Sequence, residues 1–520
     1  MADRCTPNSS TSEPPPPPPP SQQPPPLPRA ERTPQSSAQA QSQSPTQKAE
    51  EPASEKQASA QKPATTQQAQ NSSETSKKAQ FTTNTENISL PPGWEDDPDY
   101  NITRFEQLPH RMFGTNQHIR INEDFKRALQ QMLWQFRAPI RYGFAYGSGV
   151  FSQSTVSTTG SSYNPATSPH PNPPEAIVKW QQGGGKMIDM IYGVSYTQHW
   201  HSLNLHQHRD HYSGLRHLGS AVVSRVQDSW GAGVYFNPYI TINGTLIKYG
   251  VVNLDTLARD LSTWDTLYLA GRLHKPVKIL RDDPRVRLAN QINLISAVRV
   301  ALLMLPEQFT EKELYTAIAS ISYMGDPRMT FWAENPHKVK NIVENQLPSF
   351  RQLYHPLIED LPNVAYVDPR CKQDGWITDD TSGDCKMRQD MDPIKRGNMV
   401  RRLPTAFREK VYFLYQKKFS IPGKEFVRML EASKDEDESS FKKRQGGEFD
   451  RRIAQEDDLR EMVRRAIRQT VSWPSTSQSI KSFLTAGVGR SWRYFSEKRQ
   501  KNRAGSTAPK AKPVKDSKEE

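Results

Sequence analysis

Phe144-Ala145-Tyr146-Gly147-Ser148-Gly149-Val150, followed downstream by Met187-Ile188-Asp189-Met190-Ile191, is the stretch on which the reading turns. An apolar strand that runs into Gly-Ser-Gly lets backbone N–H groups come close to a phosphate, because glycine carries no Cβ. A carboxylate inside an apolar strand is costly to bury unless it has a partner such as a metal ion. Strand, Gly-Ser turn and acidic strand together outline a nucleotide-transfer site, with phosphates on Gly147, Ser148 and Gly149 and magnesium on Asp189. A tight hairpin turn and one buried, hydrogen-bonded aspartate account for the same residues. The two short motifs do not separate these readings on their own.

Working outward, Phe125, Leu129, Met132, Leu133 and Phe136 fall at helical spacing and predict a helix over 123–136. Pro139 ends it, and 140–146 enters as a strand. Residues 152–174 are rich in Ser, Thr, Asn and Pro and are expected to form a long mobile insertion. Strand signals return at 187–194, at 233–235 with 239–242, at 246–252 and at 276–280, and Ile242-Asn243-Gly244-Thr245-Leu246 reads as a hairpin. After Asp283-Pro284 the pattern turns helical, over 286–305, 311–322, 335–345 and 348–357, with Pro306 and Thr310 marking a stop and a new cap.

The fold expected is α+β. A mixed-sheet domain spans 90–284, a helical domain 285–365, a loose charged linker region 366–461, and a C-terminal amphipathic segment 462–498. Residues 1–89, with an unbroken proline run at 14–20 and a Gln/Ser/Ala/Thr tract, lack the apolar content for a core and are expected to be disordered. Residues 499–520 form a disordered basic end.

A formal net charge of +13 favours anionic partners, whether nucleic acid, nucleotide or acidic lipid, without choosing among them. Cys5, Cys371 and Cys385 are too few for a disulfide framework, which points to a reducing compartment. No apolar run approaches the roughly 18 residues that span a bilayer, and the longest, around 297–305, carries Arg299 and reads as a core helix. The N-terminus offers no readable import signal, having Asp3, Glu13 and prolines where an amphipathic helix would be needed.

Four cations stand out near the strands: Lys248 within Ile247-Lys248-Tyr249-Gly250-Val251, then Arg272, Lys275 and Lys278. Phosphoryl chemistry asks mainly for positioned cations around phosphates, although exposed charges on an amphipathic strand look the same. His199, His201, His206, His208, His211 and His217 crowd one segment and invite a metal. Their spacing matches no familiar zinc signature and no cysteine is near, so contact of one or two of them with substrate phosphate is the stronger expectation. Near the C-terminus Ile480, Phe483, Leu484, Val488, Trp492 and Phe495 fall broadly on one helical face, with Lys481, Arg490, Arg493 and Lys498 supplying charge. Such a basic amphipathic helix suits a membrane surface, and docking on the protein's own core is the alternative.

These blocks, with Trp200-His201-Ser202, His211-Tyr212-Ser213, Gly231-Ala232-Gly233-Val234-Tyr235, Leu267-Tyr268-Leu269-Ala270-Gly271-Arg272-Leu273, Gly325-Asp326 and Ser479-Ile480-Lys481, resemble the mitochondrial phosphatidate cytidylyltransferase (translocator assembly and maintenance) family over roughly 100–365 and 462–495. The resemblance implies a nucleotidyltransferase-like domain, a winged-helix-like helical domain and a C-terminal amphipathic helix on the matrix face of the mitochondrial inner membrane. It implies CTP and phosphatidic acid as substrates, CDP-diacylglycerol and pyrophosphate as products on the way to cardiolipin, and Mg²⁺ as cofactor, with no nucleic acid bound. Asp189, Ser148 and Lys248 would be catalytic, and Gly147, Ser148 and Gly149 would bind CTP. Lys248, Arg272, Lys275, Lys278, His201 and His211 would approach substrate phosphates. The position two residues past Asp189 is Ile191, not a second acid, so Asp260 is the candidate for the other metal ligand. An RNA-directed nucleotidyltransferase and a non-catalytic membrane scaffold for protein import are the competing readings.

Overall fold

The computed structural model describes residues 102–151, 187–330, 337–373, 375–379, 383–432 and 445–487. The expectations for 1–89, 152–174 and 499–520, and for the part of the tail beyond Gly487, lie outside these residues.

Strand β1 (Tyr142–Tyr146) ends at the Gly-Ser turn and pairs antiparallel with β2 (Ile188–Val194). Helices α1 (Glu123–Trp134), α2 (Thr197–Gln207) and α3 (Gly219–Ser229) flank the strands, and β3 (Val234–Ile242) and β4 (Thr245–Asn253) form the expected hairpin around Asn243-Gly244. Helices α4 (Leu254–Thr263) and the short α5 (Ala270–Leu273) lead to β5 (Lys278–Arg281). The five strands make one mixed sheet in the order β3-β4-β2-β1-β5, in which only β2 and β4 run parallel.

Side chains alternate across the sheet, so it carries two cores. Phe144, Ile191, Phe236, Val252 and Ile279 join one, which continues through Leu257, Leu261 and Trp264 of the α4 region. Ala145, Met190, Tyr192, Tyr249, Val251 and Leu280 face the other, together with Leu129, Met132 and Leu133 of α1. Helix α1 starts where Asn122 accepts the backbone N–H of Phe125 at 3.0 Å, an N-cap that fixes the entry of the chain.

Helix α6 (Pro284–Met304) begins on the Asp283 cap with proline in its first turn and is apolar nearly all round. It is the one helix among the described residues long and apolar enough to cross a membrane, and 94% of that stretch is buried inside the protein. It is a core helix, as Arg299 suggested. Around it lie α7 (Glu311–Ser320), capped by the reciprocal Thr310–Glu313 box, α8 (Lys338–Asn345) and α9 (Leu347–Glu359). A second antiparallel sheet, β6 (Gln308–Thr310), β7 (Val364–Tyr366) and β8 (Lys386–Gln389) in the order β6-β8-β7, closes this half. Arg351 and Glu311 form an ion pair there with no exposed side-chain surface, and Arg351 also donates to the carbonyl oxygens of Trp376 and Asp379 at 3.1 and 3.0 Å.

The expectation of a loose linker over 366–461 is corrected. Besides β8, this stretch forms α10 (Pro393–Arg401), α11 (Thr405–Lys418), α12 (Gly423–Ala432) and α13 (Glu448–Gln455). Met399, Val400, Phe407, Val411, Tyr415 and Ile453 join the same core as Trp264 and Val300. The charge runs at 434–438 and 442–444 that suggested a linker lie outside the described residues. Packing is also continuous at 284–285, because α6 shares its core with the first face of the sheet.

Helix α14 (Leu459–Ala486) returns to the sheet and lies along its β3 edge. Gln478 accepts the Ala232 N–H at 3.1 Å and donates to the Val234 carbonyl at 3.0 Å, and Thr485 donates to the Phe236 carbonyl at 3.4 Å. Lys481, expected to carry surface charge, is buried and donates to the Gln227 carbonyl at 3.0 Å and to that of Trp230. Burial pushes its ammonium down to about 7. The first half of the helix thus joins the core through Leu459, Val463, Ala466, Ile467 and Val471, whereas the second half docks on the sheet edge through polar residues and leaves Trp473, Ile480, Phe483 and Leu484 exposed.

Candidate active site

Tyr146, Asp189 and Lys248 stand level on three adjacent strands, Tyr146 opposite Asp189 and Asp189 opposite Lys248. Level residues point to the same face, here the face of Phe236. The Lys248 ammonium lies 3.5 Å from Asp189 Oδ1 and 4.6 Å from the centre of the Phe236 ring. Side-chain exposures of 15% for Lys248 and 30% for Asp189 make this a half-dry pair, open on the side of the turn.

The turn needs its glycines for two different reasons. Gly147 has φ +82, a left-handed conformation that L side chains rarely adopt, and a Cβ there would stand 3.4 Å from Asp189 Oδ2. The carboxylate therefore faces the turn. A Cβ on Gly149 would fall 2.8 Å from the Met187 carbonyl oxygen and 3.0 Å from Ile188 Cα. The turn thus lies directly against the start of β2. Val150 and Phe151 both donate their N–H to the Gly147 carbonyl, at 3.1 and 3.0 Å, which winds 147–151 into one tight turn. Ser148 sits half-buried at its tip.

Arg272 reaches the same place from α5. Its Nε donates to the Tyr146 hydroxyl at 3.3 Å, and its guanidinium carbon lies 3.9 Å over the Tyr268 ring and 5.9 Å from the Phe236 ring. Phe236 thus underlies both Lys248 and Arg272. Lys275, one turn on, is half-buried and donates to the Gly271 carbonyl and, at 2.8 Å, to Ser322 Oγ. Burial, and then the charges of Arg272 and Lys338, hold its ammonium well below the ordinary lysine range.

Asp260 is engaged in placing this arm. Its Oδ1 accepts the N–H groups of Thr266 and Leu267 at 2.9 and 3.0 Å, and its Oδ2 those of Leu269 and Ala270 at 2.8 and 3.0 Å. The Thr266 hydroxyl adds a further bond at 2.8 Å. Both oxygens are committed to folding the loop before α5, which corrects the expectation of a metal ligand.

Three further residues do not join the site. Lys278 stands opposite Ala145, on the other face of the sheet, and donates to the Ile119 carbonyl at 2.8 Å. Burial, then Lys126, lowers its ammonium, and Glu123 opposes the shift. His201 is buried with both ring nitrogens spent, on the Tyr212 hydroxyl at 2.9 Å and Gln227 Oε1 at 2.8 Å. Burial, opposed by the Gln227 bond, takes its imidazole down to about 4. His211 is buried against Tyr249, its Nδ1 2.8 Å from that hydroxyl. Tyr249 neighbours Lys248 in β4 and so points to the opposite face. Sequence reading missed Tyr146, Phe236 and Tyr268 as the aromatic bed of the cations. Tyr268 had a signal, its spacing of one helical turn from Arg272; Phe236 had none.

Turn amides backed by an open carboxylate, and cations stacked on aromatic rings beside them, mark a protein that handles phosphate groups at the end of a sheet. The family model described as "Phosphatidate cytidylyltransferase, mitochondrial" matches residues 129–501. Proteins of that name are similar to this chain in Schizosaccharomyces pombe (34% identity, covering 74% of this chain and 86% of the relative), in Xenopus laevis (37%, covering 71% and 92%) and in Mus musculus (34%, covering 72% and 94%). The chain belongs to the mitochondrial phosphatidate cytidylyltransferase family, and it is an enzyme.

Proposed function

We propose that this enzyme transfers CMP from CTP to phosphatidic acid, giving CDP-diacylglycerol and pyrophosphate. A phosphate oxygen of phosphatidic acid attacks the α-phosphorus of CTP in line; the new P–O bond forms as the bond to pyrophosphate breaks. No strong general base is required, because the nucleophile is already ionised near neutral pH. The observation that carries the reading is the convergence of the Gly147–Gly149 turn, Asp189, Lys248 and Arg272 on one end of β1, β2 and β4.

In this reading the amides of the turn and the Ser148 hydroxyl bind CTP phosphates, and Lys248 and Arg272 balance the charge of the two anionic substrates. Lys275 lies close enough to Arg272 to feel its charge, and an approaching phosphate would favour the charged form of its ammonium. Asp189 fits Mg²⁺, which takes one or two carboxylates together with substrate phosphates. Its carboxylate is partly exposed and faces the turn where the phosphates would lie. Bound there, Mg²⁺ would offset negative charge on nucleotide and leaving group. The five-stranded sheet is read as nucleotidyltransferase-like, and the β6-β8-β7 sheet with α7 and α9 as winged-helix-like. Exposed Trp473, Ile480, Phe483 and Leu484 support peripheral attachment to an anionic membrane. The family's name supports a mitochondrial location; the matrix face of the inner membrane and a place on the way to cardiolipin are part of the proposal and rest on the family resemblance alone.

The test is incubation of the full chain with α-labelled CTP, Mg²⁺ and phosphatidic acid vesicles, beside Asp189→Asn. Label entering the lipid with wild type but reduced by at least about a hundredfold in the variant is the expected result. Label-free lipid from folded, vesicle-bound wild type would overturn the reading in favour of a scaffold.

A further inference from the structure

We propose that His208, Asp210 and His211 hold a divalent transition-metal ion of the zinc class, on the opposite side of the sheet from Asp189. The sequence crowds histidines here without a recognisable metal spacing, and folding selects three residues. His208 closes α2 and is followed by the single 3-10 turn Arg209–His211. That turn brings one ligand atom from each of the three residues within 4.8 Å of the others, the one such group among the described residues.

The two imidazoles are stacked, with centres 4.4 Å apart and planes within 1° of parallel. Phe136 presents its ring to both, at 5.6 Å from His208 and 6.2 Å from His211, so the pair is clamped. Nε2 of His208 is buried and has no hydrogen-bond partner among the described residues, a cost that a metal bond would remove. His211 has the opposite arrangement. Its Nδ1 meets the Tyr249 hydroxyl at 2.8 Å, and Asn204 donates to that same hydroxyl at 3.1 Å. With Nδ1–H donating to the hydroxyl oxygen, the lone pair of His211 is on Nε2. A hydrogen bond from the outer nitrogen of this kind orients a metal-bound histidine and fixes its tautomer.

Asp210 is exposed, so it supplies its carboxylate from the solvent side and leaves the fourth position to water. Two imidazoles, a carboxylate and a water suit zinc, cobalt or nickel, whereas magnesium and calcium take oxygen ligands. The site would therefore not compete with Asp189 for Mg²⁺. Its place in the fold suggests a clip, tying the end of α2 to β4 through Tyr249 on the back of the strand that carries Lys248.

The test uses the full chain, freed of metal by chelation and titrated with Co²⁺. One equivalent per chain with visible ligand-field bands, displaced by Zn²⁺, is expected. His208→Ala and Asp210→Asn should each weaken Co²⁺ binding by at least about tenfold, while His206→Ala, an exposed neighbour on α2, leaves it unchanged. Zn²⁺ should raise the melting temperature of the wild type and of His206→Ala only. Asp210→Asn alters an exposed side chain and keeps the test open if His208→Ala does not fold. Absence of stoichiometric uptake, or uptake indifferent to Asp210→Asn, would overturn the proposal. Because the readout is metal binding, either result leaves the proposed transfer reaction to be judged by its own assay.

Discussion

Replacing Gly149 by alanine puts a methyl group in place of one hydrogen where two backbone segments meet. The new Cβ would stand 2.8 Å from the Met187 carbonyl oxygen, 3.0 Å from Ile188 Cα and 3.2 Å from Ile188 Cγ1. Non-bonded heavy atoms sit comfortably near 3.5 Å, so about 0.7 Å must be found. No flexible side-chain end can supply it, because two of the three atoms are backbone. Either the turn lifts away from β2, or the start of β2 moves and takes Asp189 with it. Overpacking of this kind costs about 1–3 kcal/mol of stability. Misplacing a reacting group by 1 Å can cost on the order of a hundredfold, so this shift should lower kcat/KM for CTP about tenfold or more. Initial rates of label transfer at varied CTP, with vesicle flotation as a binding control, measure it. Gly214→Ala, where a Cβ would meet nothing within 4 Å, should keep full activity. A Gly149→Ala enzyme with kcat/KM within twofold of wild type and an unchanged melting temperature would refute the close packing of turn and strand as the reason for this glycine.

Two further outcomes follow from burial. The unfolded chain protonates His201 as pH falls through its ordinary value near 6.5, whereas in the folded protein burial delays this to about 4. The contribution of His201 is therefore steady above pH 6.5, declines as pH falls from 6.5 to 4, and reaches about 2 kcal/mol of lost stability by pH 5. Urea unfolding at pH 7 and 5 should show a smaller difference in His201→Gln; an unchanged difference would remove this histidine from the acid response. On α14, Ile480→Ser with Phe483→Ser should release the enzyme from phosphatidic acid vesicles while shifting the stability of the soluble protein by no more than about 1 kcal/mol. Undiminished flotation would exclude this face as the attachment surface.

The candidate site at the end of the sheet was legible because its signals are local. Glycine punctuation, an acid between apolar neighbours and a strand running into the turn are all contained within a few residues, and β1, β2, β4, β5 and α6 appear close to where the pattern places them. What could not be read depends on partners far along the chain. Lys278 was assigned to the site by proximity in sequence, but a register shift near Gly143–Phe144 and strand alternation put it opposite Ala145, facing away. Asp260 looked like a spare acid; its hydrogen-bond donors lie six to ten residues on, in the loop before α5. His201 is a core residue because Tyr212 and Gln227, from other segments, take up both nitrogens. Strand β3 was read as two pieces, 233–235 and 239–242, with Pro238 between them. The structure carries the strand across with a register break between Asn237 and Ile240, where Tyr239 takes φ 56.

The seat of α14 on β3 also sets an order of events. β3 is the open edge of the five-stranded sheet, and its carbonyls at Val234 and Phe236 are met by side chains of Gln478 and Thr485. Edge strands left with unpaired groups invite pairing with other chains. Because a polypeptide is made from its N-terminus, the sheet can be complete long before the residues that seal its edge exist. Chains interrupted before residue 478 would carry every group of the candidate site and still leave the β3 edge unsealed. The edge of β3 is therefore sealed only once α14 has been made.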